Sequence, residues 1–328
     1  MTWGLFVVSA ALVVLAAERL AKYGDVIAVR TRLGGMFIGT LLLAAATSLP
    51  ELLTTINSIE QAVPDLAAGN IFGSCMFNMF MLAVLDIVVL RGRILRAVML
   101  NHAVSGGLAV LLGALAVFFI MADLDVGFGW VGLDSLLLMA VYVGGVWLIN
   151  DNNVSTTADV SEQADAALPS LWTGVVGFGL ATLILVLVTP WLVTSSKAIA
   201  EAAGVSTGFV GATLVAVVTS LPELVTTIAA VRIAAYDLAI GNLFGSNCFN
   251  IFALGLTDFF YQKGRFLADI DDAMLLAAVM GLLLTAIGLF GNVTRFERRI
   301  FFIEIDALII AVTYAVGMWL LYSRGLMA

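Results

Sequence analysis

Residues 39–86 and 211–258 align without a gap at an offset of 172, and 26 of the 48 paired positions are identical. A chain carrying one block twice at that density is built from two copies of a single structural unit, which excludes folds without an internal repeat. The first shared block runs Gly39, Thr47-Ser48-Leu49-Pro50-Glu51-Leu52 and Thr54-Thr55-Ile56 against Gly211, Thr219-Ser220-Leu221-Pro222-Glu223-Leu224 and Thr226-Thr227-Ile228. The second runs Gly69-Asn70-Ile71-Phe72-Gly73-Ser74 and Phe77-Asn78 against Gly241-Asn242-Leu243-Phe244-Gly245-Ser246 and Phe249-Asn250. The offset persists weakly toward the ends of both halves, where Asp134, Tyr142, Gly145 and Trp147 pair with Asp306, Tyr314, Gly317 and Trp319.

Composition says where such a unit resides. Of 328 residues 62% are hydrophobic and 12% charged, with a mean hydropathy of +1.10, against roughly 45–50% and about 25% in soluble domains. A membrane-spanning helix needs about 20 apolar residues, so this length holds about ten spans and leaves no room for a separate soluble domain. Apolar runs are read at 4–18, 34–58, 66–88, 97–121, 128–149, 171–194, 207–231, 237–260, 271–290 and 300–322. They are too long and continuous for the alternating strands of a β-barrel. The first is read as a retained span, because no Lys or Arg precedes it and no small-residue cleavage signal follows cleanly before Arg19 and Lys22. A net charge of −8 and a pI near 4.6 argue against nucleic acid as a partner. Cys75 and Cys248 sit within apolar stretches and read as small packing residues, not as a disulfide framework or zinc site.

Lys and Arg set the orientation. Eleven of the 15 fall on one set of connections (Arg19, Lys22, Arg30, Arg32, Arg91, Arg93, Arg96, Arg232, Arg295, Arg298 and Arg299), and four, Lys197, Lys263, Arg265 and Arg324, on the other. The positive-inside rule then places both termini outside the cytoplasm, in a cell or inner membrane. The expected organisation is a first five-helix repeat over 1–150, an acidic cytoplasmic linker over 151–170 and a second five-helix repeat over 171–328. Five is odd, so the second copy enters the membrane from the opposite side. The expected fold class is therefore an all-α integral membrane protein of ten transmembrane helices in two inverted-topology repeats, a recurring design of secondary transporters with the site at the midplane.

Glu51 and Glu223 lie well inside the second and seventh runs, where a charge costs about 2.5–3.5 kcal/mol on insertion scales. Neither run has a Lys, Arg or His near its centre, which leaves a proton on each carboxyl or a bound cation as compensation. The surroundings favour the cation. Pro50 has no N–H and so frees the carbonyl of Ala46 and loosens that of Thr47, and Pro222 does the same for Val218 and Thr219. Ala44, Thr47, Ser48 and Glu51 share one helical face, mirrored by Ala216, Thr219, Ser220 and Glu223. Ser74 with Asn78, and Ser246 with Asn250, are i, i+4 pairs able to turn toward the same centre. The donors are all oxygens, which suits a hard cation such as Ca2+ and not the softer metals that call for His or Cys. Two carboxylates balance one divalent ion or two monovalent ones. No cofactor is expected.

The other repeated features have plainer readings. Gly69 with Gly73, and Gly241 with Gly245, are small-xxx-small patterns for close helix packing. Asp86, Asp258, Asp134 and Asp306 lie near span ends and read as interfacial caps. His102 reads as an interfacial residue and the acidic segment as a solvated linker.

Two helices carrying Thr-Ser-Leu-Pro-Glu and Gly-Asn-x-Phe-Gly-Ser-x-x-Phe-Asn, once per half, resemble the α-repeats of the cation/Ca2+ antiporter superfamily, the sodium/calcium exchangers. The resemblance covers essentially the whole chain. It implies an antiporter in which helices 2, 3, 7 and 8 hold a diamond of cation sites while helices 1 and 6 slide across them to alternate access. Calcium ligands would be Glu51, Glu223 and the backbone oxygens of Thr47 and Thr219. Sodium sites would add Ala44, Ser48 and Ser74 in one half and Ala216, Ser220 and Ser246 in the other. Asn78 matches the family's usual asparagine, whereas Asn250 stands where some members have an aspartate on which potassium-dependent relatives rely. The missing cytoplasmic domain between helices 5 and 6 is similar to prokaryotic members. The function implied is extrusion of Ca2+ in exchange for Na+, with Ca2+, Na+ and the lipid bilayer as partners and no obligate protein partner evident. H+/Ca2+ exchange is the alternative, a cation channel a more distant one. An intramembrane enzyme is disfavoured, since the central acids lack a paired aspartate motif, a histidine or a zinc set.

Overall fold

The structure is a computed structural model that describes residues 2–31, 43–88, 101–152, 169–233, 235–294, 299–300 and 303–325. Its helices are α1 (Thr2–Thr31), α2 (Leu49–Glu60), α3 (Pro64–Val88), α4 (Asn101–Ala122), α5 (Leu133–Asn152), α6 (Leu171–Ala203), α7 (Thr207–Val210), α8 (Ala216–Thr219), α9 (Leu221–Arg232), α10 (Tyr236–Thr257), α11 (Asp272–Thr294) and α12 (Ile305–Gly325). A π-helical turn, Gly211–Val215, links α7 to α8. Two 3-10 turns, Asp258–Phe260 and Phe266–Asp269, and two antiparallel hairpins complete these elements: Gly127–Phe128 with Val131–Gly132, in register Gly127 to Gly132, and Arg299–Ile300 with Ile303–Glu304, in register Arg299 to Glu304. The 172-residue offset therefore holds in structure where it was weak in sequence. It maps α2 onto α9, the first hairpin onto the second and the start of α5 onto that of α12.

Among the described residues seven helices are long and apolar enough to cross a bilayer, and the bent pair Thr207–Thr219 and Leu221–Arg232 makes eight. In α5 the apolar stretch Leu133–Ile149 is shorter. Part of the second apolar run, residues 34–42, lies outside the described residues, as do residues 97–100 of the fourth, 301–302 of the tenth and 153–168 of the acidic segment. The chain is a multi-pass, essentially all-helical membrane protein. Its six tryptophans, Trp3, Trp130, Trp147, Trp172, Trp191 and Trp319, are all at least 50% exposed, the placement of rings facing lipid or its interface.

Burial sorts the helices into layers. The apolar windows of α3 and α10 are 89% buried, against 22% for α6 and for α12. Thus α3 and α10 form the centre, with α4 and α11 packed on them. Glycines permit the close approaches. A Cβ on Gly73 would lie 2.5 Å from backbone atoms of Ala212, and one on Gly211 would lie 2.6 Å from Leu66 O, so α3 meets the π-helical turn backbone to backbone. The packing reading of Gly69 and Gly73 fits this seam. Both cysteines are free and buried in the core.

Helices α1 and α6 differ from the sequence expectation. Runs 4–18 and 171–194 extend into helices of 30 and 33 residues, so Arg19, Lys22 and Lys197 are helical rather than in loops. At 1.5 Å per residue such helices measure about 45–50 Å, beyond the hydrocarbon core of about 30 Å, and their charged residues lie in the C-terminal halves. Ser170 caps α6 by accepting from Thr173 N, and Gly204 ends it at φ 66°. The two helices pack antiparallel, with Gly174 against Val26 and Gly177 against the Tyr23 ring.

The repeated aspartates whose side chains are described act at element ends. Asp258 accepts from Gly132 N and Phe266 N, both at 2.6 Å, and Asp134 and Asp306 accept from the N–H of the next residue. Arg265 joins this end of the molecule together by pairing with Asp123 at 2.7 Å and donating to Leu124 O. The side chains of Asp86 and His102 lie outside the described residues.

Candidate cation site

Both Thr-Ser-Leu-Pro-Glu segments break their helices at the serine. Ser48 (φ −88°, ψ 8°) and Ser220 (φ −88°, ψ 5°) sit outside helical geometry, and each proline falls in the first turn of a new helix, α2 or α9. A proline there loses no intrahelical bond of its own, but the carbonyls four residues back, Ala46 and Val218, meet no N–H from it. The backbone bonds crossing the break run from Ser48 N to Ala44 O and from Leu52 N to Ser48 O, with Ser220 N to Ala216 O and Leu224 N to Ser220 O as counterparts. The run 207–231, read from sequence as one helix, is thus several pieces, bent by 42° at Ser220. The π-helical turn one step earlier adds a second irregularity. Irregular backbone at membrane depth is tolerated where it is buried in protein or lines a cavity.

The breaks bring the halves together crosswise. The Ser48 hydroxyl donates to Glu223 Oε1 at 2.8 Å, and the Ser220 hydroxyl donates to Glu51 Oε1 at 2.9 Å. Ser246 adds a longer bond to Glu223 Oε1 at 3.4 Å. Serine and glutamate of one half therefore do not serve a common site alone; each carboxylate is completed by the opposite half. Glu51, Glu223, Thr47, Thr219, Ser48, Ser220, Ser74, Ser246, Asn78 and Asn250 are all fully buried, as are Ala44 and Ala216.

Several buried oxygens have no hydrogen-bond partner: Glu51 Oε2, Glu223 Oε2, Ser74 Oγ, Asn78 Oδ1 and Asn250 Oδ1. Asn250 Nδ2, a donor, is unpaired as well; buried polar atoms are otherwise nearly always paired, and the two carboxylate oxygens and the amide oxygens here are acceptors of the kind a cation satisfies. No described ion pair involves either glutamate. No group of three or more His, Cys, Asp or Glu gathers among the described residues. A cation held here would meet two carboxylates and neutral oxygens, the donor set of hard ions.

The alanine carbonyls are engaged. Ala44 O accepts from Ser48 N and Thr47 Oγ1, and Ala216 O from Ser220 N and Thr219 Oγ1. Asn70, noticed in sequence only as part of the repeated block, stitches the halves. Its Nδ2 donates to Glu51 O and Thr55 Oγ1, and its Oδ1 accepts from the Thr219 hydroxyl at 3.0 Å. Its identity in both copies was the available signal. Asn247 is a further addition, donating to Cys75 O and Thr285 Oγ1 and accepting from Asn78. Its repeat mate is Cys75, so the repeat gave no signal for it.

Known proteins share this architecture. A putative antiporter, CaxA of Alkalimonas amylolytica, is 28% identical over 295 residues, covering 88% of this chain and 90% of its own. A crystal structure of an H+/Ca2+ exchanger, CAX, superposes with a TM-score of 0.77 at 12% identity, covering 99% of this chain and 86% of that one. The sodium-calcium exchanger NCX_Mj, soaked with Na+ and Sr2+, gives 0.60 at 22% identity, covering 97% of both chains. At these identities the two structures establish a common fold. The profile described as sodium/calcium exchanger protein matches residues 1–149 and 173–323, omitting little but the acidic segment, and the chain accordingly belongs to that family of membrane exchangers.

Proposed function

We propose that this protein is a secondary active antiporter that exchanges Ca2+ for Na+ by alternating access and normally extrudes Ca2+ from the cytoplasm. The crosswise pairing of Ser48 with Glu223 and Ser220 with Glu51 is the observation that carries this reading. Two buried carboxylates tied to both halves make a site whose access changes when the halves shift. Glu51, Glu223 and the Thr47 and Thr219 backbone oxygens would hold Ca2+. Ser48, Ser220, Ser74, Ser246 and the Ala44 and Ala216 carbonyls would serve Na+, with Asn78 and Asn250 at the centre. The carbonyls of Ala44 and Ala216 would have to exchange a helix bond for the ion. A channel would need an open pore, whereas these side chains are fully buried.

The architecture we infer is ten transmembrane helices, five from 1–150 and five from 171–328, inverted with respect to each other and joined by the linker 151–170. Odd span number and the antiparallel packing of the equivalent helices α1 and α6 support it. The same parity and the Lys/Arg bias favour an inner-membrane protein with both termini outside the cytoplasm.

H+/Ca2+ exchange is the second reading, favoured by the higher TM-score to the CAX structure. Two glutamates can trade two protons for one Ca2+ without net charge. The hydroxyl donors, which suit Na+ and add nothing for protons, favour sodium. Calcium uptake into proteoliposomes under sodium, proton or potassium gradients, imposed one at a time, separates the two. Sodium alone is expected to drive uptake; uptake driven by protons and not by sodium would refute the first reading.

A further inference from the structure

The two halves treat their equivalent asparagines differently. Asn78, on α3, donates from Nδ2 to Asn247 Oδ1 at 2.9 Å, and its own Oδ1 is buried without a partner. Asn250, its repeat mate on α10, is fully buried with neither amide atom partnered.

An asparagine amide has an acceptor at one end and a donor at the other in nearly the same shape, so its neighbours decide which end faces which way. Here the direction is forced from the outside inward. Gly281 O accepts only, and the Thr285 hydroxyl gives it its single proton at 2.7 Å. The Thr285 oxygen is left to accept, which it does from Asn247 Nδ2 at 3.1 Å. Asn247 Nδ2 also reaches Cys75 O at 3.3 Å, another group that only accepts. Two acceptors on one side hold Nδ2 there and turn Asn247 Oδ1 toward Asn78. Facing an acceptor, Asn78 presents its Nδ2, and its oxygen is left unpaired at the opposite end of the amide. The first half cannot build this relay for Asn250, because Asn247 and Thr285 are replaced at the repeat offset by Cys75 and Gly113.

We propose that Asn247, fixed by Thr285, is a positioning residue that makes Asn78 offer its oxygen rather than its NH2 to the transported cation. This rests on the assignment of Asn78 to the cation site. It breaks the two-fold equivalence of the halves, giving one asparagine a direction set by Asn247 and Thr285, for which the other has no counterpart. Groups that orient a metal ligand from behind contribute about 10–100-fold to affinity.

The test is calcium uptake by the full-length protein in proteoliposomes as a function of calcium concentration, with sodium and proton gradients imposed together. Asn247→Leu should raise half-saturating calcium about tenfold, with a smaller fall in maximal rate, and add no further rise in an Asn78→Ala background. Thr285→Val should shift half-saturation in the same direction by less, and Thr285→Ser should restore it. An unchanged half-saturation in Asn247→Leu, or a full additive shift on Asn78→Ala, overturns the proposal. Should Asn247→Leu fail to fold, the Thr285 pair decides, since Val without effect also overturns it. Loss of uptake in Glu51→Gln beside wild-type behaviour in the Asn247 and Thr285 variants would refute this inference alone. Wild-type protein that takes up no calcium would refute the exchanger reading with it.

Discussion

Each buried glutamate receives its shortest serine bond from the other half, so these two Ser–Glu bonds are also bonds between repeats. A hydrogen bond to a charged group contributes about 1.5–3 kcal/mol. Ser48→Ala and Ser220→Ala are expected to lower the thermal stability of the cation-free protein by similar amounts, read as melting shifts in detergent, and added Ca2+ should narrow both gaps. A large loss for one and none for the other would contradict the pairing. At this scale the glutamates were legible, because a charge at mid-membrane without a basic neighbour is anomalous by position alone. Their partners were not. Helical spacing groups Ser48 with Glu51 on one face, but which serine meets which carboxylate depends on how two separated segments pack, and that is not written in either segment.

At the scale of elements, the helices follow from apolar length, and the breaks follow from proline. In sequence Pro50 and Pro222 read as freeing backbone carbonyls inside continuous runs, whereas each helix restarts one residue before its proline, which opens the new helix where its missing N–H costs nothing. The π-helical turn had no sequence signature. It lies where α3 comes closest, and its small residues are explained by that contact. Gly73→Ala places a Cβ against Ala212 backbone and is expected to cost about 1–3 kcal/mol, with reduced yield of folded protein on size-exclusion chromatography. Gly107→Ala, whose Cβ meets nothing within 4 Å, should be neutral. Deleting residues 153–167, which fall in the gap between the two family-matched segments, should leave transport intact; loss of calcium activation would mark the segment as regulatory.

Across the whole molecule the 172-residue offset organises more than the two blocks of identical residues. It reproduces hairpins and helix starts where few residues are identical, since a repeated backbone needs only a repeated pattern of apolar length and turns. Departures from the offset are correspondingly informative, as Asn247 opposite Cys75 illustrates. The long antiparallel helices α1 and α6 lie outside the buried centre, with 39% and 22% of their apolar windows buried against 89% for α3 and α10. The central claim is that the transported Ca2+ is held by the two cross-tied glutamates. Calcium flux through reconstituted Glu51→Gln and Glu223→Gln, both inserted and monodisperse, tests it most directly. The account predicts that neither variant transports Ca2+; robust exchange by either one would contradict it.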